Sequence, residues 1–550
     1  MAIESSAGLT RPSYKAAATD LAVCCGLFLA ALLPMSRNFG ACLVDASLWD
    51  FAAGLLDHVL ERHPDHHLAI NAFGIQWPLA LSRYHGPWAV YPLMALIPYF
   101  GRKAILAYNI LFCCLTIAGT YALSIQLYGS RLAAFLGALL LSTSPAFVTL
   151  GGLTGLGAGI ATAAACLFAT AFLLRYADSP KPLFAVGAAA CLGFALGSFA
   201  WAIAWVLGLV VCGFLSVPII RRFAASRPGE TIRLALYGAG VLAAFMAPLA
   251  LYNLRTGGAS LHFVGNHASL ILNGGLPVNS YQSGFRWNLT RRLFQFAKLA
   301  SGHYTDYSLG VPPAGSQSVL AIYALIGAAV ITAALYFLYA GLPKRRLWPW
   351  IIGVVYLGLS PLSPSALSAH HLLPLLPLLC VAVGSLVLLG RRRPAVAGLA
   401  ALVAIGALAE LAGMKSAAAQ AAGDNAPYAS TRAVRELSAF LRARKSSPAV
   451  SAVPYLSYEL LHESAGRLLV PDFPGDTWAH PGRREAFAGQ VVPRQGGLVV
   501  FGGLLSGYIR APLSAALAAK GLGLLPVASL PSNSPTGGFE VDRVIAVNPH

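Results

Sequence analysis

Asp45 and Asp50 are the candidate catalytic carboxylates of this chain. Asp45 is the first acid after the run Leu21–Val44, which is apolar except for Ser36, Arg37 and Asn38. It therefore stands where a membrane-crossing helix would leave the lipid. Partial desolvation at that boundary raises a carboxyl pKa toward the range of a general base. The same residue also fits a structural role as N-cap of the next helix, accepting backbone N–H bonds. Asp50, Asp57 and Glu61 follow at i, i+7 and i+11, opposite Leu48, Phe51, Leu55 and Val59. That spacing describes an amphipathic helix lying in the interface, with an acidic stripe toward water.

The next polar clusters are less specific. Glu61, His63, Asp65, His66 and His67 supply the ligand types that zinc or manganese use, but Pro64 breaks the helix that would align them. The spacing matches no metal pattern, so a polar loop near headgroups is the competing reading. No cofactor is required by the sequence, and a divalent metal stays open. Arg83-Tyr84-His85-Gly86-Pro87-Trp88 places a guanidinium and an imidazole beside a tight turn. Arg83 and His85 could hold a lipid phosphate, although aromatics at a membrane interface are expected in any case. His370 and His371 precede Pro374 and Pro377 at the start of a late apolar run. They read either as interfacial anchors or as contacts to a phosphate or acceptor. The stretch 253–316 is basic, with Arg255, Arg286, Arg291, Arg292 and Lys298, and Arg286 and Arg291 are its candidate anion ligands. Asn288-Leu289-Thr290 fits the glycosylation acceptor pattern, a triplet common by chance.

These groups need elements to hold them, and composition says which. Of 550 residues, 57% are hydrophobic and 11% charged, far below the ~25% charge of a soluble domain. The apolar residues come in runs of about 20, the length that crosses a bilayer. The chain therefore reads as a mainly α, polytopic membrane bundle. Its spans are expected near 17–36, 103–127, 132–150, 153–175, 182–198, 200–219, 232–252, 317–340, 347–362, 371–390 and 394–413. The formal net charge of +18 lies largely in short loops: Arg131, Arg175/Lys181, Arg221/Arg222, Lys344/Arg345/Arg346 and Arg391/Arg392/Arg393. That distribution is a topology signal and does not point to nucleic acid. Eleven spans with these loops inside put the N-terminus in the cytoplasm and the C-terminal part in the periplasm. The nine cysteines lie in or beside apolar runs and read as small buried hydrophobes.

Two domains follow: residues 1–413 as the membrane domain, with outer loops 37–102 and 253–316, and residues 414–550 as a soluble α/β domain. In the second, Ser430 is a candidate cap for a helix with Val434, Leu437 and Leu441 on one face. Short apolar runs at Ala449–Val453, Arg467–Val470, Gly497–Phe501 and Val541–Val547 alternate with helix-like Leu513–Lys520.

Taken in order, residues 17–413 resemble the GT-C membrane glycosyltransferases, in particular the protein O-mannosyltransferases and the aminoarabinose transferases of lipid A. The likeness runs through Val44-Asp45-Ala46 after the first span, then His85-Gly86-Pro87 to Tyr99-Phe100-Gly101. It continues with Tyr128-Gly129-Ser130-Arg131, Ser142-Thr143-Ser144-Pro145, Tyr252-Asn253-Leu254-Arg255-Thr256-Gly257 and His370-His371 to Pro377. The chain departs from the pattern where Ala46 stands in place of the family's Glu and His370-His371 in place of Arg-Tyr. An acid is also missing from Gly151–Gly157. The resemblance implies transfer of a sugar from a polyprenyl-phosphate donor to a lipid, glycan or protein acceptor. The reaction would lie on the outer face of the inner (cytoplasmic) membrane. Asp45 would act on the acceptor hydroxyl, and Arg83, His85, Arg286, Arg291 and His371 would hold phosphate. The rival readings are a transporter or flippase of lipid-linked envelope precursors and a non-catalytic scaffold. A transporter calls for ionisable residues or broken helices at mid-membrane, which the second to seventh spans almost lack.

Overall fold

A computed structural model describes residues 13–39, 69–73, 75–80, 86–100, 104–153, 157–215, 228–262, 285–300, 344–362, 369–388, 429–444, 449–451, 496–502, 506–530 and 539–547, with isolated positions between these stretches. Helix dominates. The first part holds α1 (Tyr14–Phe39), a hairpin of β1 (Ala69–Ala72) and β2 (Ile75–Pro78), and α2 (Val90–Phe100). There follow α3 (Ala104–Tyr128), α4 (Arg131–Thr143), α5 (Gly157–Asp178), α6 (Pro182–Ser198), α7 (Ala202–Leu215) and α8 (Pro228–Arg255). The bundle continues with α9 (Phe285–Ala300), α10 (Trp348–Leu359) and α11 (Leu375–Gly384).

Four helical stretches are long and apolar enough to cross a bilayer: Tyr14–Pro34, Ala104–Tyr128, Gly159–Asp178 and Ile232–Arg255. They coincide with four of the expected spans. Arg131–Thr143, Pro182–Ser198, Ala202–Phe214 and Leu375–Leu388 are apolar but shorter. The expected spans 317–340 and 394–413 lie outside the described residues apart from isolated positions. The expected span 132–150 is broken at Ser144, which is extended (φ −63°, ψ 121°). Pro145 disfavours helical backbone at the residue before it, and the chain resumes as a π-helical turn, Phe147–Leu153. Within the expected outer loop 37–102, Val90–Phe100 forms a helix. Pro87 and Pro92 fall in first turns, where the amide hydrogen has no helical acceptor to lose.

Local chemistry explains the sharpest corner. Gly129 ends α3 in the left-handed region (φ 65°), which a side chain resists, and Ser130 starts α4 by accepting from Ala133 N at 3.3 Å. The corner delivers Arg131 onto Asp20 of α1. Nε and Nη2 of Arg131 donate to Oδ2 and Oδ1 at 2.7 and 2.8 Å, and the Tyr121 hydroxyl donates to Oδ2 at 2.8 Å. Arg345 pairs with Asp178 at 2.9 Å, joining the end of α5 to the start of α10. These charges belong to one end of the bundle.

Between the ends the helices touch closely. A Cβ on Gly384 would run into the Ala133 carbonyl, and one on Gly137 would stand 2.9 Å from the Cys380 carbonyl. Small residues thus let α4 and α11 pack backbone to backbone, the main route to helix association where lipid removes the hydrophobic drive. Trp205 is fully buried and donates to Thr170 Oγ1 at 3.0 Å, while Asn109 donates to the Gly152 carbonyl at 3.3 Å.

The C-terminal part is α/β, as its composition suggests: α12 (Ala429–Ala443), β3 (Ala449–Ser451), β4 (Leu498–Gly502), α13 (Ser506–Ala518), β5 (Leu522–Leu530) and β6 (Phe539–Ala546). Strand order is β3-β4-β6-β5, with β3 and β4 parallel and the other pairs antiparallel. Strand β5 escapes a sequence reading because of Pro526. It is an edge strand, and a register shift at Pro526/Ala528 absorbs the missing donor. Leu437 and Leu441 are buried under the sheet. Arg510 pairs with Asp542 at 2.9 Å and Glu540 at 2.7 Å. Burial pushes the Asp542 carboxyl above its usual range, and Arg510 draws it part of the way back.

Replacing Arg131 by Met is expected to lower the unfolding temperature of the detergent-solubilised protein by several degrees, because Asp20 is left buried without its cation. The double variant Asp20→Asn/Arg131→Met should recover part of that loss. Equal melting of all three proteins by tryptophan fluorescence would show that the pair contributes nothing.

Candidate functional site at the end of the bundle opposite Asp20

The helix ends opposite the Asp20–Arg131 pair meet in a second polar cluster. Helix α9, read from sequence as part of a basic loop, packs against the 3-10 turns Ser360–Leu362 and Ala369–Leu372. Asn288, Arg292, Gln295 and Leu299 recur at i, i+4, i+7 and i+11, and all four are buried. Arg292 is fully buried and donates from Nη1 to Gln295 Oε1 at 3.1 Å. Asn288 donates to the Pro361 carbonyl at 3.3 Å. With its side chain buried and bonded, Asn288 is a packing residue and not a glycosylation acceptor.

His371 joins the cluster through its backbone and its ring. Its carbonyl accepts from the buried Tyr356 hydroxyl at 2.8 Å, and its ring meets Phe199 edge-on, with centroids 5.3 Å apart. Arg292 lies within electrostatic reach of the Tyr356 hydroxyl. Helices α9 and α10 and the Ala369–Leu372 turn thus bring the buried Asn288, Arg292, Gln295, Tyr356 and His371 to one end of the bundle. A buried polar contact is stronger than the same contact in water.

The segment Gly86–Trp88 arrives at the same end. A side chain on Gly86 would collide with the Gly197 carbonyl, and Trp88 donates from Nε1 to the Phe245 carbonyl. Gly197, Ser198 and Phe199 are consecutive, so this docking ties Gly86 to the strand of contacts that ends at His371. Only glycine at 86 permits so close an approach of two backbones.

Among the residues expected from sequence, Asp45, Asp50, His63, Asp65, His66, His67, Arg83 and His85 lie outside the described residues. Arg286 is exposed, Arg291 half-buried and His371 buried, while His370 stands in the Ala369–Leu372 turn. Neither Arg286 nor Arg291 has the burial of Arg292, which the sequence reading passed over. The signal in the sequence is a polar stripe at helical spacing, inside a stretch whose basic composition reads as loop. Among the described residues no group of three or more His, Cys, Asp or Glu side chains forms a metal cluster.

The described chain thus combines long apolar helices, a bundle with one ion-paired end and one buried polar end, and a following α/β unit. No family model and no curated protein sequence matches the chain. Solved structures do match it. ArnT from Cupriavidus metallidurans, bound to undecaprenyl phosphate, gives a TM-score of 0.59 at 14% identity over 96% of this chain and 99% of its own. The apo form of ArnT gives 0.54, over 97% and 100%. The oligosaccharyltransferase of Archaeoglobus fulgidus, in complex with Zn and sulfate, gives 0.51 at 14% identity, over 95% of this chain and 73% of its own. At that identity the likeness is one of fold. It extends through the C-terminal α/β part and agrees with the resemblance drawn from the motifs.

Arg292→Met is expected to lower the unfolding temperature of the detergent-solubilised protein by several degrees, because it removes a fully buried guanidinium bonded to Gln295. Arg286→Ala, on the exposed face of the same helix, should leave it nearly unchanged. The comparison is made by tryptophan-fluorescence melting, and equal loss in both variants would show that the buried stripe does not hold this end together.

Proposed function

We propose that this protein transfers a sugar from a polyprenyl-phosphate carrier to an acceptor at the outer face of the cytoplasmic membrane. The observation that carries the reading is the full-length likeness in fold to ArnT, whose compared structure holds undecaprenyl phosphate. The buried Arg292–His371 cluster supports it, since it sits at the end of the bundle where a headgroup would meet protein.

By the positive-inside rule, the end that bears Arg131, Arg345 and Arg346 faces the cytoplasm. The His371 end then faces the periplasm, and residues 414–550 form a periplasmic domain that orients the acceptor. The carrier's tail lies between helices. Arg83 and His85, just before the Gly86 docking point, hold the donor phosphate with Arg291 and His371, and Arg286 guides the anion from the surface. Asp45 takes the proton of the acceptor hydroxyl, and Asp50 is the second candidate carboxylate. The hydroxyl oxygen attacks the anomeric carbon in line, and the carrier phosphate leaves with the bond electrons. His63, Asp65, His66 and His67 supply ligand types for a divalent cation. Phosphate departure is assisted by the basic side chains named above.

The test is sugar transfer from labelled polyprenyl-phosphate sugars in membranes carrying wild-type or Asp45→Asn protein. Loss of the general base is expected to slow transfer by about 10²–10⁴-fold while donor retention by the membrane protein is kept. Undiminished transfer by the variant would remove Asp45 from the mechanism. Absence of transfer by the wild type with every carrier-linked sugar tried would remove the enzyme reading altogether.

A further inference from the structure

We propose that the hairpin Ala69–Pro78 is an interfacial anchor, with Phe73 at its tip seated among phospholipid headgroups and upper acyl chains. Three features meet there. Phe73 is 97% exposed, and its backbone is in the left-handed region (φ 56°). That conformation suits Gly or Asn and is costly for a bulky residue, and the bare ring meets too little of the chain to offset the cost. Leu68–Ser82 contains no charged residue. An uncharged two-stranded hairpin standing in water is marginally stable and prone to pair with other edges. A lipid interface removes both difficulties.

The surface next to the hairpin is exposed and apolar. Leu79 and Ala80, just past β2, pack on Tyr252 of α8. That helix is almost wholly exposed along its apolar length, with Ile232, Leu236, Tyr237 and Leu254 uncovered. Leu261 continues the exposed strip beyond its end, and Tyr99 and Phe100 add a second one at the end of α2. Trp77 meets Tyr91 edge-on at 5.3 Å, and the Tyr91 hydroxyl donates to the Pro78 carbonyl at 2.8 Å. The base of the hairpin is thus a small aromatic belt of the kind that marks headgroup level. Ile70, paired in register with Trp77, is also exposed. The anchor holds Gly86–Trp88, a few residues further on, at a fixed depth relative to the lipid phosphates.

Photo-crosslinking tests this directly. The photoreactive analogue p-benzoylphenylalanine is placed at position 73 of the full chain in nanodiscs of phosphatidylethanolamine and phosphatidylglycerol. Position 236 on lipid-facing α8 is the positive control, and position 525 on the exposed edge strand is the negative one. After irradiation, the phospholipid adduct is quantified by mass spectrometry. The anchor predicts an adduct at 73 comparable with that at 236 and several-fold above that at 525. A yield at 73 no higher than at 525 overturns the proposal. So does an adduct dominated by a carrier-linked sugar, which would place the tip in a substrate groove. The readout is lipid contact and not transfer, so it stands or falls separately from the glycosyltransferase reading.

Discussion

A bilayer tolerates an ionised side chain only where it is paired or at water, and that rule sorts the ends of this bundle. Asp20 lies within the first apolar helix and is buried, and it persists there because Arg131 and Tyr121 meet it from two other elements. The Gly129-Ser130 corner places Arg131 by ending one helix and capping the next at once. With Arg345 on Asp178, these pairs close one end with opposite charges. The other end holds a buried guanidinium and an imidazole among hydroxyls and amides. Its surplus of positive over negative groups among the described residues suits an anion.

Between the ends, close backbone packing carries the precision. The glycines of α4 and α11 and the Gly86–Gly197 contact set inter-element distances more tightly than large side chains would, because each leaves no atom free to adjust. This has a functional consequence. The Gly86 contact is continuous with Phe199 and His371, so the loop bearing the candidate phosphate ligands and the late histidine turn are registered against one helix end. Helix α9 bonds to the neighbouring Ser360–Leu362 turn through Asn288 and the Pro361 carbonyl, and it packs on the histidine turn as well. The site is therefore assembled from segments separated by more than two hundred residues.

The likeness to ArnT spans both parts of the chain at low identity. Persistence of fold under such sequence change is reasonable for a bundle whose constraints are generic: apolar faces toward lipid, small residues at crossings, and charges at ends. The departures at Ala46 and His370-His371 fall in the segments that would touch substrates, where chemistry diverges before architecture does.

The sequence by itself determined the membrane class, the helical bundle, the α/β tail and the Gly129 corner. Each depends on local composition or on a turn whose chemistry is complete within a few residues. The order of the motifs also marked the Gly86 and His371 segments as candidates. What it could not determine was which basic residue of 285–300 turns inward. That choice depends on the face α9 presents to Ser360–Leu372, a contact across about seventy residues of chain. Asp20 and Arg131 were invisible as a pair for the same reason, since nothing within either helix announces the partner. Only the tertiary structure turned Arg292 inward and left Phe73 bare, because burial is a property of neighbours and not of the residue.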